Sequence, residues 1–281
     1  MTTRYYSVAR HVMALTAGDD IFALLDNCRP FEVTPSEPLI SVVIRENAPL
    51  PETWTEEWRQ EEEGDEIACG HSGENPLFVF RSHGKMAGWM ECGSDYRRAT
   101  VYTGELPKLA IDNAMMIAFA LATAEMDTLL FHASVVCRGG KAYMFLGPSG
   151  TGKSTHTRLW LRYIDGSRLL NDDNPVVRIE ADGEAEVYGS PWSGKTPCYV
   201  NEHYPLGAIV RLRQAPHNAI RRMSPIEAYA TMASSVSGKR WEKNIADGLH
   251  RALNSLTATA RMWHMDCLPD EAAAKMTSST I

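Results

Sequence analysis

Short apolar runs broken by polar segments fill the chain from residue 1 to about 104. "YYSVARHVMAL", "PLISVVIRE", "PLFVFRS" and "RRATVYTG" are rich in β-branched and aromatic residues and are separated by Gly, Pro and acidic breaks. That pattern predicts strands, with one short helix near "DDIFALLDN". From 105 to 127 the period changes: "ELPKLAIDNAMMIAFALATAEMD" is apolar on nearly every face, which predicts a largely buried helix. This helix is expected to open a second domain. The expected division is a strand-rich domain over 1–104 and an α/β domain over 105–281.

Within the second domain, "LLFHASVVC" and "AYMFL" flank "RGGK", so a hairpin turning at Gly139 and Gly140 is expected. "STHTRLWLRY" reads as helix, "SRLLN" as a short strand, and "PVVRIEADGEAEVYG" as a hairpin around "ADGE". Ser224, Pro225 and Glu227 have the order of an N-cap, a first-turn proline and a capping-box acid. Ile245, Leu249, Ala252 and Leu256 repeat at helical spacing, and a strand "RMWHMDCL" and a helix from Asp270 close the chain.

Composition places this among ordinary globular proteins, with 44% apolar and 22% charged residues in 281. The net charge of −7 is concentrated in "EEWRQEEEGDE" (56–66), seven acids against one Arg, which reads as a solvated loop or helix face. A nucleic-acid binder shows the opposite sign, so that class is set aside. The six cysteines (28, 69, 92, 137, 198, 267) form no Cys-x-x-Cys pair, which argues against a structural zinc. No signal-peptide core and no long apolar window is present, so the expectation is a cytoplasmic protein with free thiols and no membrane partner.

The strongest chemical signal is "GPSGTGKS" (147–154), the phosphate-loop pattern between a strand and a helix. Backbone N–H groups of Gly147, Ser149, Gly150, Thr151 and Gly152 are expected to cradle phosphates, with Thr155 beside them. Lys153 reaches the β/γ-phosphates and Ser154 can ligate Mg²⁺. Such a loop needs carboxylates for the metal and for a nucleophile's proton, and Asp172 and Asp173 lie 19 and 20 residues beyond Lys153. One helix and one short strand fill that interval, which brings the pair back beside the loop in a parallel arrangement. Mg²⁺ and Lys153 would then offset two adjacent negative charges.

Taken together, "HASVV", "GPSGTGKST" and "LLNDDNP" resemble the C-terminal catalytic domain of HPr kinase/phosphorylase, grouped with ATP-dependent phosphoenolpyruvate carboxykinases. The resemblance covers roughly 128–212 and implies a P-loop α/β catalytic domain with a mixed sheet. It implies roles for His132 before the loop, for Asp172 as base, for Asp173 near the metal, and for Glu202 as metal support. The family's Arg shortly after that Glu is absent, with His203 and Tyr204 in the region. This departure leaves phosphorolysis and HPr outside the expectation. "GSPWSGK" (189–195) is similar to HPr-kinase-like proteins of unassigned substrate, and it offers Lys195 for a phosphate or acidic group and Trp192 for stacking.

The expected activity is an ATP- and Mg²⁺-dependent kinase acting on a hydroxyl-bearing acceptor, foremost a serine of a protein or peptide. Lys153, Asp172, His132 and Lys195 would be catalytic, and Ser154, Asp173 and Glu202 would hold the metal. A small-molecule kinase, a plain ATPase and a nucleotide-sensing module without transfer are the alternatives. Assembly into homo-oligomers is expected by analogy alone.

Overall fold

The computed structural model describes residues 1–194 and 196–281. It is mixed α/β and divides into two compact units, Met1–Ala122 and Thr123–Ile281.

In the first unit, β1 (Thr2–Val8), β2 (His11–Ala17), α1 (Asp19–Phe22), β3 (Glu32–Val33) and β4 (Ile40–Arg45) precede a meander. The meander consists of β5 (Trp54–Glu62), β6 (Asp65–Ser72), β7 (Asn75–Ser82), β8 (Lys85–Cys92) and β9 (Arg98–Thr103), and α2 (Pro107–Ala122) follows. The nine strands form one mixed sheet in the order β3-β1-β2-β4-β9-β8-β7-β6-β5, with β2–β4 and β4–β9 parallel. Alternation sends Leu77, Val79 and Trp89 into a core where Trp89 stacks on Tyr102 at 4.1 Å.

Two expectations change here. The acidic run is the β5–β6 hairpin, with β5 the exposed last strand of its sheet, because charges suit an edge that must not pair with other chains. The division falls after α2 instead of before it. Ala110, Ile111, Ala114, Met115, Ala118 and Phe119 are buried, and the helix packs on β4, β7, β8 and β9.

The second unit contains β10 (Thr128–Leu130), β11 (Ala133–Arg138), β12 (Lys141–Leu146), α3 (Lys153–Tyr163), β13 (Arg168–Asp173), β14 (Val176–Ile179) and β15 (Ala185–Tyr188). It continues with β16 (His203–Gln214), β17 (Ala219–Arg222), α4 (Pro225–Ala233), α5 (Lys243–Thr259), β18 (Met262–Cys267) and α6 (Glu271–Thr280). The sheet order is β10-β14-β15-β16-β12-β11-β13, with β18 joined to β16 and β17. β12–β16 and β16–β18 are parallel; the β11–β12 and β14–β15 hairpins form where glycine and "ADGE" predict turns. Ser224 and Glu227 close the capping box that starts α4, an arrangement contributing about 1 kcal/mol.

One face of this sheet is covered by α3 and α6. Phe145, Val210, Leu212 and Met265 meet Trp160, Ala273 and Ala274 there. Trp160 is fully buried and its indole N–H donates to Thr277 Oγ1 at 2.9 Å, so truncating it to Ala costs on the order of 3–5 kcal/mol. This packing fixes α3, and with it the loop at its N-terminus, against the ends of β12 and β16.

The parallel arrangement expected for the acid-bearing strand is modified. β13 runs in the direction of β12, but β11 lies between them, antiparallel to both. The start of β11 therefore separates the acid pair from the glycine-rich loop that precedes α3 and adds its own side chains beside them.

Candidate functional site

The segment Gly147–Gly152 joins β12 to α3, and Gly152 caps the helix in a left-handed conformation (φ 97°). Gly147 has φ 153°, and a Cβ there would lie 2.6 Å from Thr151 Oγ1 and 3.2 Å from Leu212 O. Only glycine fits that turn without displacing β16. Gly150, at φ 77°, faces open space. Thr151 donates from its hydroxyl to Pro148 O, and Gln214 Nε2 at the end of β16 donates to Gly150 O at 3.0 Å. The loop is thus pinned from inside and from the neighbouring strand.

Lys153, the first residue of α3, is 9% exposed. Its ammonium donates to Gly147 O at 2.9 Å and lies 2.7 Å from His132 Nε2. On the far side of the imidazole, His132 Nδ1 is 3.2 Å from Asp173 Oδ1. An ammonium can only donate, so His132 Nε2 accepts and Nδ1–H points to the carboxylate. Asp173, His132 and Lys153 form one chain linking the acid pair to the loop.

Asp172 takes a different course. It is 4% exposed, lies opposite Ser134 of β11, and accepts that hydroxyl's proton at 2.6 Å. Its backbone carbonyl accepts Gly194 N–H at 2.8 Å. Asn171, fully buried, accepts from the N–H groups of Asp173 and Asn174 at 3.1 and 2.8 Å while its amide donates to Trp192 O at 3.2 Å. Asn174 Nδ2 donates to the second oxygen of Asp173 at 2.8 Å. The two carboxylates consequently have separate environments, one enclosed beside α3 and one at the surface with His132.

The other predicted residues are dispersed. Glu202 lies at the opposite end of β13, where it accepts from Tyr204 Oη at 2.6 Å and pairs with Arg168 at 3.4 Å. Arg168 and Asp173 are five residues apart on one strand, roughly 16 Å at the usual rise, so Glu202 does not join the site. Glu202 immediately precedes β16, which begins at His203, and that start places its carboxylate beside Arg168 and not beside the acid pair. Trp192 is 4% exposed and packed, not offered for stacking. Lys195 lies outside the described residues. His156 is buried against Phe145 and Thr277, and burial lowers its pKa to about 4. Thr157 and Gln214 lie outside the motifs that carry the resemblance, whereas Ser134 and Asn171 stand inside "HASVV" and "LLNDDNP" without a role assigned to them.

Among the described residues no three His, Cys, Asp or Glu side chains gather as a metal-holding group, and no helix is long and apolar enough to cross a membrane. Were a divalent ion bound together with a nucleotide, one or two protein oxygens beside the phosphates would suffice, which is how Mg²⁺ is usually held. The donor set fits: Ser154 offers a hydroxyl in the first turn of α3. The enclosed Asp172 carboxylate has Ser134 as its one hydrogen-bond donor among the described residues.

A family model described as SynChlorMet cassette protein ScmC matches residues 103–257. That span is more than half the chain and includes the Gly147–Gly152 loop, His132 and the acid pair. Among solved structures, the HPr(Ser) kinase/phosphatase from Coxiella burnetii is similar at 10% identity, covering 53% of this chain and 91% of that chain, with a TM-score of 0.31. No curated protein matches.

Proposed function

We propose that this chain, which belongs to the family of SynChlorMet cassette protein ScmC, is an ATP- and Mg²⁺-dependent kinase that phosphorylates a hydroxyl, foremost a serine of a protein or peptide. The observation that carries the reading is the Lys153–His132–Asp173 chain, which joins a phosphate-loop lysine to a carboxylate on another strand. A loop that merely bound phosphate would have no need of that second half.

In this reading the loop N–H groups and Lys153 hold the β/γ-phosphates, with Ser149, Thr151 and Thr155 lining the turn. Ser154 and Asp172 would hold Mg²⁺, which offsets phosphate charge when bound. The sequence suggested Asp172 as base and Asp173 for the metal, but burial supports the reverse. Asp172 is closed in beside α3, whereas Asp173 is one-third exposed and bonded to His132. Asp173 then takes the acceptor's proton as its oxygen bonds to the γ-phosphorus and the bond to the ADP oxygen breaks. His132 keeps that carboxylate oriented through its Nδ1–H.

The test is incubation of the protein with γ-labelled ATP, Mg²⁺ and size-fractionated extract of its source cells, with Lys153→Ala as control. Label in macromolecular material that is lost in the variant is the expected result. Label confined to small molecules selects a metabolite kinase, free phosphate alone an ATPase, and tight nucleotide binding without release or transfer a sensing module.

A further inference from the structure

The enclosed carboxylate is attached to the loop helix by two hydroxyls. Ser134 Oγ lies 2.6 Å from Asp172 Oδ1 and 3.1 Å from Thr157 Oγ1, and Thr157 in turn lies 3.0 Å from Ser154 O. Ser134 and Thr157 are each 1% exposed. Water therefore has little access to either hydroxyl.

Proton counting gives the contacts a direction. Ser134 has one proton for two neighbours, and the shorter, charge-assisted bond to the carboxylate is the stronger. Thr157 donates its own proton to Ser154 O, a carbonyl that Arg158 Nε also reaches at 3.1 Å, so toward Ser134 its hydroxyl is an acceptor. Ser134 thus holds Asp172 through its short bond and leans on Thr157 through its long one.

We propose that Ser134, backed by Thr157, is a positioning residue that sets the Asp172 carboxylate relative to the first turn of α3 and so tunes how the site takes a divalent cation with a nucleotide. The inference rests on the kinase reading for the metal's presence, but not on any transfer step. Partners of a metal-holding carboxylate commonly change metal affinity 10- to 100-fold when removed. Ser134 has that place, and its register opposite Asp172 is fixed by the β11–β13 ladder.

The experiment is calorimetric binding of β,γ-imido-ATP across a Mg²⁺ series and in EDTA, for wild type, Ser134→Ala, Ser134→Thr and Thr157→Val. In Ser134→Ala the Mg²⁺ needed for half-maximal tightening is expected to rise about 10-fold or more, with affinity in EDTA within about twofold of wild type. Thr157→Val should shift the same way by less. Ser134→Thr keeps the hydroxyl on a residue suited to a strand and should restore the wild-type requirement. An unchanged Mg²⁺ requirement in Ser134→Ala overturns the proposal, as does an equal loss with and without metal or a failure of threonine to rescue. Should Ser134→Ala not fold, judged by thermal unfolding, Thr157→Val carries the same test. Transfer activity without the Mg²⁺ shift removes the positioning role alone; the shift without transfer to any acceptor removes the kinase reading alone. Absence of nucleotide binding by wild type overturns both.

Discussion

The Lys153 ammonium lies 2.7 Å from His132 Nε2, and the other imidazole nitrogen faces Asp173 at 3.2 Å. The imidazole serves at once as acceptor for the Lys153 ammonium and as donor to the Asp173 carboxylate. His132→Ala is expected to lower turnover by about 100-fold, the scale of a lost acid–base partner, while changing nucleotide affinity less than about threefold. Steady-state kinetics alongside nucleotide titration checks this. Affinity falling as far as turnover would place His132 on the nucleotide side alone.

Two neighbouring carboxylates with different surroundings should fail differently. Asp172→Asn is expected to weaken Mg²⁺-dependent nucleotide binding about 10-fold or more, whereas Asp173→Asn should bind normally and lose transfer by roughly 100- to 10,000-fold. Glu202→Gln should alter neither, because its carboxylate serves Arg168 and Tyr204 at the far end of β13. Parallel binding and turnover measurements separate the three. A Mg²⁺ defect in Glu202→Gln would contradict the placement.

The loop glycines make a graded prediction. Gly147→Ala combines a glycine-only φ of 153° with a 2.6 Å collision at Thr151 and should abolish nucleotide binding. Gly150→Ala meets nothing within 4 Å and carries only left-handed strain, about 1–2 kcal/mol, so binding should weaken by about 30-fold at most. Equal effects of the two substitutions, measured by nucleotide titration, would count against the loop geometry.

His156 predicts a pH dependence of stability. Burial lowers its folded-state pKa from 6.5 to about 4. Below pH 6.5 the unfolded chain takes up a proton that the native imidazole does not. Stability from this group is thus intact above pH 6.5 and falls by about 1.4 kcal/mol per unit as pH drops toward 4. Denaturant titrations at pH 7, 6 and 5 should show that slope in wild type and a shallower one in His156→Gln. Identical slopes would mean that another group governs the acid limb.

What the sequence disclosed was local. "GPSGTGKS", the glycine turn before Lys141 and the Ser224–Glu227 box each encode their geometry within a few residues, and the structure has a loop, a hairpin and a capped helix there. Pairings between distant segments were not legible. Nothing around "NDD" says that β11 intervenes between the acids and the loop, so Ser134 and Thr157 went unnoticed. Nothing in "NEHYPLG" says that Glu202 is carried to the wrong end of a strand. The apolar surface of α2 demanded burial without specifying a partner, and the first sheet provided one.

The strand that carries the acids is the last of its sheet, and its outer edge is lined by the segment that follows Tyr188, through Gly194 N–H on Asp172 O and the Asp173–Ser193 bridge. The edge beside Asp172 and Asp173 is therefore no bare row of backbone N–H and C=O groups: its outer side is already partnered there, so the strand that bears both acids is closed at those positions to pairing with another chain.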